Sequence, residues 1–147
     1  MKKVLFIIVV LMLFGISSCS KDDSNPSVTN TVVSTVTAGT WKITYFFDTN
    51  EVETSNFSGY NFTFGSNNIL SASNGSNTYN GSWSIMNNNS TDDSLDDVDF
   101  MISFVSPVNF EELSEDWEIL SRTTSKIELK HVSGGNGGTD LLTFEKN

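Results

Sequence analysis

From Trp41 to the end of the chain, large apolar residues recur at every second position. Trp41, Ile43, Tyr45 and Phe47 alternate with Thr40, Lys42 and Thr44; Tyr60, Phe62 and Phe64 alternate with Asn61 and Thr63. Tyr79, Gly81, Trp83 and Ile85 alternate with Asn80, Ser82 and Ser84. The rhythm returns at Val98, Phe100, Ile102 and Phe104, at Ile127, Leu129 and His131, and at Leu142 and Phe144. Side chains of an extended strand repeat on one face every two residues, so each run predicts a strand with one wet and one dry face. Weaker runs at 68–72 and 117–123 bring the expected strands to eight.

The connections carry turn chemistry. Residues 48–50, 65–67, 74–76, 124–125 and 133–138 are built mainly from Gly, Asn, Asp, Ser and Thr, and Gly and Asn tolerate the positive φ that tight hairpins need. One stretch breaks the rhythm. Between Pro107 and Asp116, Phe110 and Leu113 lie three apart, with Trp117 four further on and Glu111, Glu112 and Glu115 among them. That spacing predicts one or two helical turns crossing between strands. Short hairpins make neighbouring strands antiparallel, and eight such strands either close into a barrel or split into two packed sheets.

The first 18 residues have a different character. Lys2 and Lys3 precede an unbroken apolar run from Val4 to Phe14. Eleven residues are too few for a membrane span, which needs about 20, but they suit the core of an export signal. Gly15-Ile16-Ser17-Ser18-Cys19 follows. It resembles the lipobox of bacterial lipoproteins, which implies a diacylglycerol on the Cys19 thiol and cleavage just before it. Cys19 is the only cysteine, so no internal disulfide competes for it. Ser20-Lys21-Asp22-Asp23 resembles the export signal of surface lipoproteins in the Bacteroidota. The resemblance implies an outer-membrane protein facing the cell exterior, with Lys21, Asp22 and Asp23 as the signal.

Residues 19–38 hold no aromatic side chain and are rich in Ser, Thr, Asn and Val, so they are expected as the lipidated Cys and a flexible tether. Val28, Val32, Val33 and Val36 share one helical face, although β-branched residues form helices poorly. The domain proper is expected over 39–147. Without Lys2 and Lys3 the chain holds six basic against eighteen acidic residues, a net of −12. Such a surface excludes nucleic acid as a partner, because nucleic acid requires clustered Lys and Arg.

Gly39-Thr40-Trp41 opens the first expected strand. Gly-x-Trp at that place resembles the signature of lipocalins, whose Trp packs across the closed end of an eight-stranded barrel. Phe62 and Phe64, then Gly81-Ser82-Trp83, then Leu142-Thr143-Phe144 continue a pattern similar to the small lipocalin-like domains of Bacteroidota lipoproteins. The expectation is therefore an all-β, eight-stranded antiparallel up-and-down barrel, lipocalin-like, with one short helical crossover. No Arg follows the last strand to stack on Trp41; the sole Arg, Arg122, is the candidate for that contact.

The expected pocket or core comprises Trp41, Tyr60, Phe62, Tyr79, Gly81, Trp83 and Phe100. An eight-stranded barrel is just wide enough to be filled by side chains or to hold one small ligand. Gly81 beside Trp83 is where room is expected. Two functions follow: binding of a small apolar or amphipathic molecule, or a filled barrel that contacts protein or glycan partners. No enzymatic role, cofactor or metal is expected. A single histidine, His131, excludes a site of two or three imidazoles, and no Gly-x-Ser-x-Gly elbow is present. The acidic run at 92–99 lacks calcium-loop spacing. Asp93-Ser94-Leu95 resembles a Bacteroidota O-glycosylation sequon.

Overall fold

The computed structural model describes residues 27–87, 98–135 and 138–147. Cys19, Lys21, Asp22, Asp23, Ser94 and most of the acidic run lie outside them. Nine strands form one antiparallel sheet: β1 (Trp41–Asp48), β2 (Glu51–Val52), β3 (Asn61–Phe64), β4 (Ile69–Ser73), β5 (Thr78–Asn87), β6 (Val98–Ser103), β7 (Asp116–Arg122), β8 (Lys126–Val132) and β9 (Thr139–Lys146). β3 to β9 pair in sequence order, and β1 pairs with both β3 and β9. The result is a closed eight-stranded up-and-down barrel, with two-residue β2 appended to β1. The weaker runs at 68–72 and 117–123 both become wall strands.

The seam is uneven. β1 pairs with β9 from Trp41↔Lys146 to Phe47↔Leu141, but meets β3 only at Trp41↔Phe62. The link after β2 fills the gap that this leaves. It carries a 3₁₀ helix, Thr54–Phe57. The Glu53 amide donates to the Phe46 carbonyl at 3.0 Å, and the Phe46 amide donates to Thr54 Oγ1 at 2.9 Å. Phe57 enters the core from this link, 1 % exposed.

A bulge in β1 corrects the strict alternation read from the sequence. Register shifts between Ile43 and Tyr45, and an extra residue reverses which side chains face inward beyond it. Phe46 is buried, Tyr45 is exposed and Phe47 is only half-buried, whereas alternation places Tyr45 and Phe47 inside. A second bulge shifts β7 between Ile119 and Ser121 and leaves Leu120 exposed.

The second half of the expected tether is folded. Helix α1 spans Val28–Val36, capped by the Ser27 side chain, which accepts from the Asn30 amide at 3.3 Å. Its valines are poor helix formers, so packing against the barrel must hold it. Val32 and Val36 are fully buried, with Val28 and Val33 packed beside them. The Trp41 indole donates to the Val36 carbonyl at 2.8 Å, satisfying an acceptor that the helix end leaves open. Gly39, at φ +97°, turns the chain into β1. α1 thus stops the barrel end where β1 begins.

The opposite end is closed by the crossover. Helix α2, Val108–Glu111, lies between β6 and β7. Phe110 on it is fully buried. Its ring centroid lies 5.2 Å from Phe57, 5.1 Å from Tyr60, 5.0 Å from Tyr79 and 5.2 Å from Phe104. The Tyr79 contact is tilted and the other three are edge-to-face; aromatic pairs add about 0.5–1.5 kcal/mol each beyond area burial.

Candidate functional site

The barrel places the expected pocket residues in one interior, but they fill it. Trp41, Phe62 and Phe100 are fully buried and Trp83 is 4 % exposed. Phe64 packs edge-on against both Trp83 and Phe100, each at 5.5 Å. Trp83 stacks on Phe100 at 6.1 Å, and its indole donates to the Gly65 carbonyl at 3.0 Å. Tyr60 and Tyr79 are half-buried at the α2 end, with rings 5.9 Å apart. Burial, then the neighbouring Tyr79, raises the Tyr60 phenol above its ordinary pKa.

The room expected at Gly81 is taken. A Cβ there would meet the Phe104 ring at 2.8 Å and the Ser103 carbonyl closer still. Gly81 therefore lets the β6 backbone and the Phe104 ring approach, and opens no pocket.

A groove does exist beside Trp83, on the other side of the wall. It encloses about 470 Å³ and is lined by Ser82, Ser84, Met86, Met101, Ser103 and Asn68, with Trp83 and Ile102 at its base. The first five occupy the outward positions of β5 and β6, opposite in phase to Trp83 and Ile102. Met86 is 51 % exposed. A smaller groove of about 270 Å³ lies on the outer wall, where the β1 bulge turns Tyr45 outward beside Leu120. Tyr45, Leu120 and Leu141 line it beside Thr143 and Glu128. Lys126, 2.6 Å away, and then the Ser121 hydroxyl hold the Glu128 carboxyl below its ordinary pKa.

Trp41 receives its cation from a residue that the sequence reading missed. Lys146 Nζ stands 5.0 Å from the ring centre. Arg122 goes elsewhere: its Nη1 donates to Thr35 Oγ1 of α1 at 2.9 Å. The register Trp41↔Lys146 explains the choice, since pairing across the seam puts the two side chains together.

The rim at the α2 end gathers carboxylates. One oxygen of Glu112 is buried with no hydrogen-bond donor on it. Burial first, then the Glu53 carboxylate and then Asp48, raise its pKa above the ordinary 4.5. Asp140 is buried and accepts from the Thr49 amide at 3.0 Å. Glu115, Asp116 and His131 cluster further round this rim.

The geometry defines the chain as a closed up-and-down β-barrel protein with a filled interior and apolar grooves on its outer wall. Comparison with known proteins finds no matching family model, no matching curated protein and no matching solved structure.

Proposed function

We propose that this is a lipid-anchored, outward-facing barrel of the small lipocalin-like kind, which works as a non-enzymatic interaction module through its outer wall. The observation that carries this choice is the filling of the lumen. α1 stops one mouth, Phe57 and Phe110 stop the other, and Trp41, Phe46, Phe62, Phe64, Phe100, Trp117 and Phe144 occupy the space between. Such packing leaves recognition to the outside, where the Met86–Met101 groove offers adaptable thioether side chains to a protein or glycan partner. The lipobox supplies the anchor. Seven residues lie between Cys19 and the helix cap Ser27, a span of at most about 28 Å. The barrel would then stand close to the membrane that holds it.

The test of the solid lumen is titration with fatty acids and apolar probes, followed by tryptophan fluorescence. No saturable response is expected at micromolar probe; a saturable one would return the ligand-binding reading to first place. The anchor is checked by mass spectrometry of the N-terminal peptide from membranes, which should show an acylated Cys19. For display, Ala at Lys21, Asp22 and Asp23 should reduce antibody labelling of intact cells at unchanged total protein.

A further inference from the structure

His131, the only histidine of the chain, is the penultimate residue of β8, on the α2-side rim. Its side chain is 16 % exposed, and its ring packs against Trp117 at 6.2 Å. The backbone around it is fixed. His131 pairs with Asp140 across β9, Asp116 pairs with Met101, and the Glu115 carbonyl accepts from the Ile102 amide at 3.1 Å.

His131 Nδ1 lies 3.1 Å from the Asp116 carbonyl and 3.1 Å from Asp116 Oδ1. Both oxygens only accept hydrogen bonds, so Nδ1 carries the proton. In the neutral ring Nε2 then presents a lone pair. Its neighbour is Glu115 Oε2 at 3.4 Å, a second acceptor. A cation between them relieves that opposition, whether a proton on Nε2 or a metal ion, and the 3.4 Å separation suits a metal ion. A tetrahedral ion with bonds of about 2.0–2.2 Å holds adjacent ligand atoms about 3.3–3.6 Å apart. The donor atoms of Glu115, Asp116 and His131 all lie within 4.8 Å of one another. The Nδ1–H bond to a carboxylate is also the outer contact that metal-bound imidazoles habitually make.

We propose that Glu115 and His131 Nε2 bind a divalent transition ion of the Zn²⁺ class, with Asp116 as the positioning residue on Nδ1. Water completes the coordination shell. The imidazole donor selects against Ca²⁺ and Mg²⁺, which prefer oxygen ligands alone. Partial exposure of Glu115 and Asp116 gives the ion a way in.

A single histidine makes the test direct. The full chain, without an affinity tag, is followed by ¹⁵N-resolved NMR of the imidazole at pH 7.5. The ring should rest as the Nδ1–H tautomer, and ZnCl₂ should shift Nε2 with one-to-one saturation. CaCl₂ and MgCl₂ should leave it unmoved. Glu115→Gln should weaken Zn²⁺ by about tenfold or more. Asp116→Asn should weaken it about 10–100-fold and mix the tautomers, while amide spectra report whether each variant keeps its fold. An Nε2–H tautomer overturns the proposal. So does an affinity unchanged in Glu115→Gln, which would mean an adventitious contact with imidazole alone. One-to-one binding that persists in His131→Gln places the ion elsewhere and overturns it equally.

Discussion

Trp41 joins three parts of the molecule through one side chain. Its ring fills the α1 end of the core, its indole N–H caps the helix at Val36, and its face meets Lys146. Trp41→Ala is expected to cost about 3–5 kcal/mol, as for other large aromatics removed from cores. Trp41→Phe keeps most of the apolar volume but leaves the Val36 carbonyl without its donor, an expected loss of about 1–3 kcal/mol for that group alone. Chemical denaturation of the two variants separates packing from the hydrogen bond; a Trp41→Phe variant as stable as wild type would mean that the bond adds nothing. Gly81 makes the opposite kind of prediction. Gly81→Ala puts a methyl group against Phe104 and the Ser103 carbonyl, and overpacking of this kind costs about 1–3 kcal/mol. A melting temperature equal to wild type would contradict the close approach. The glycine was legible in the sequence, but its purpose was not, because only the β5–β6 pairing brings Ser103 and Phe104 over it.

At the scale of elements, the strands were legible and their phase was not. Alternation locates all eight wall strands, since burial of one face forces a period of two. It fails inside β1, where one extra residue exchanges Tyr45 for Phe46, and bulges carry no period of their own. Helix α1 was visible only as a valine face on a segment of low helix propensity. Its stability comes from the barrel end, so removing residues 28–38 should lower the melting temperature markedly and expose Trp41 to quencher. An unchanged melt would make α1 an ornament. The crossover and the link carrying Phe57 meet at Glu112 and Glu53, beside Asp48 at the end of β1. Because the fold raises the Glu112 pKa, the folded state binds more protons than the unfolded chain above pH 4.5. This contribution to stability is therefore complete below the ordinary carboxylate pKa and is lost as pH rises through the raised one. Glu112→Gln should remove that decline and raise the melting temperature at pH 7 by a few degrees, measured across a pH series. A parallel pair of curves would assign the decline to other groups.

For the whole molecule, closure depends on the contact farthest apart in sequence, β1 with β9. Substituting Ile43 by Asp, opposite Phe144 on the closing pair, should unfold the barrel as a unit rather than fray one edge. Loss of near-ultraviolet and far-ultraviolet dichroism at a single midpoint would show this; separate midpoints would show a sheet that opens first at the seam. Taken by itself, the sequence determined the strand content, the antiparallel order, the single crossover and the surplus of carboxylates. Each of these follows from local periodicity, turn residues or charge. The tertiary structure alone decided the rest: that Phe57, Phe110 and α1 stop the two mouths, that Phe104 takes the space beside Gly81, that Lys146 rather than Arg122 reaches Trp41, and that His131 faces Glu115 and Asp116. Those are meetings of residues up to about a hundred positions apart. Pairing register and bulges set them, and no local pattern encodes either.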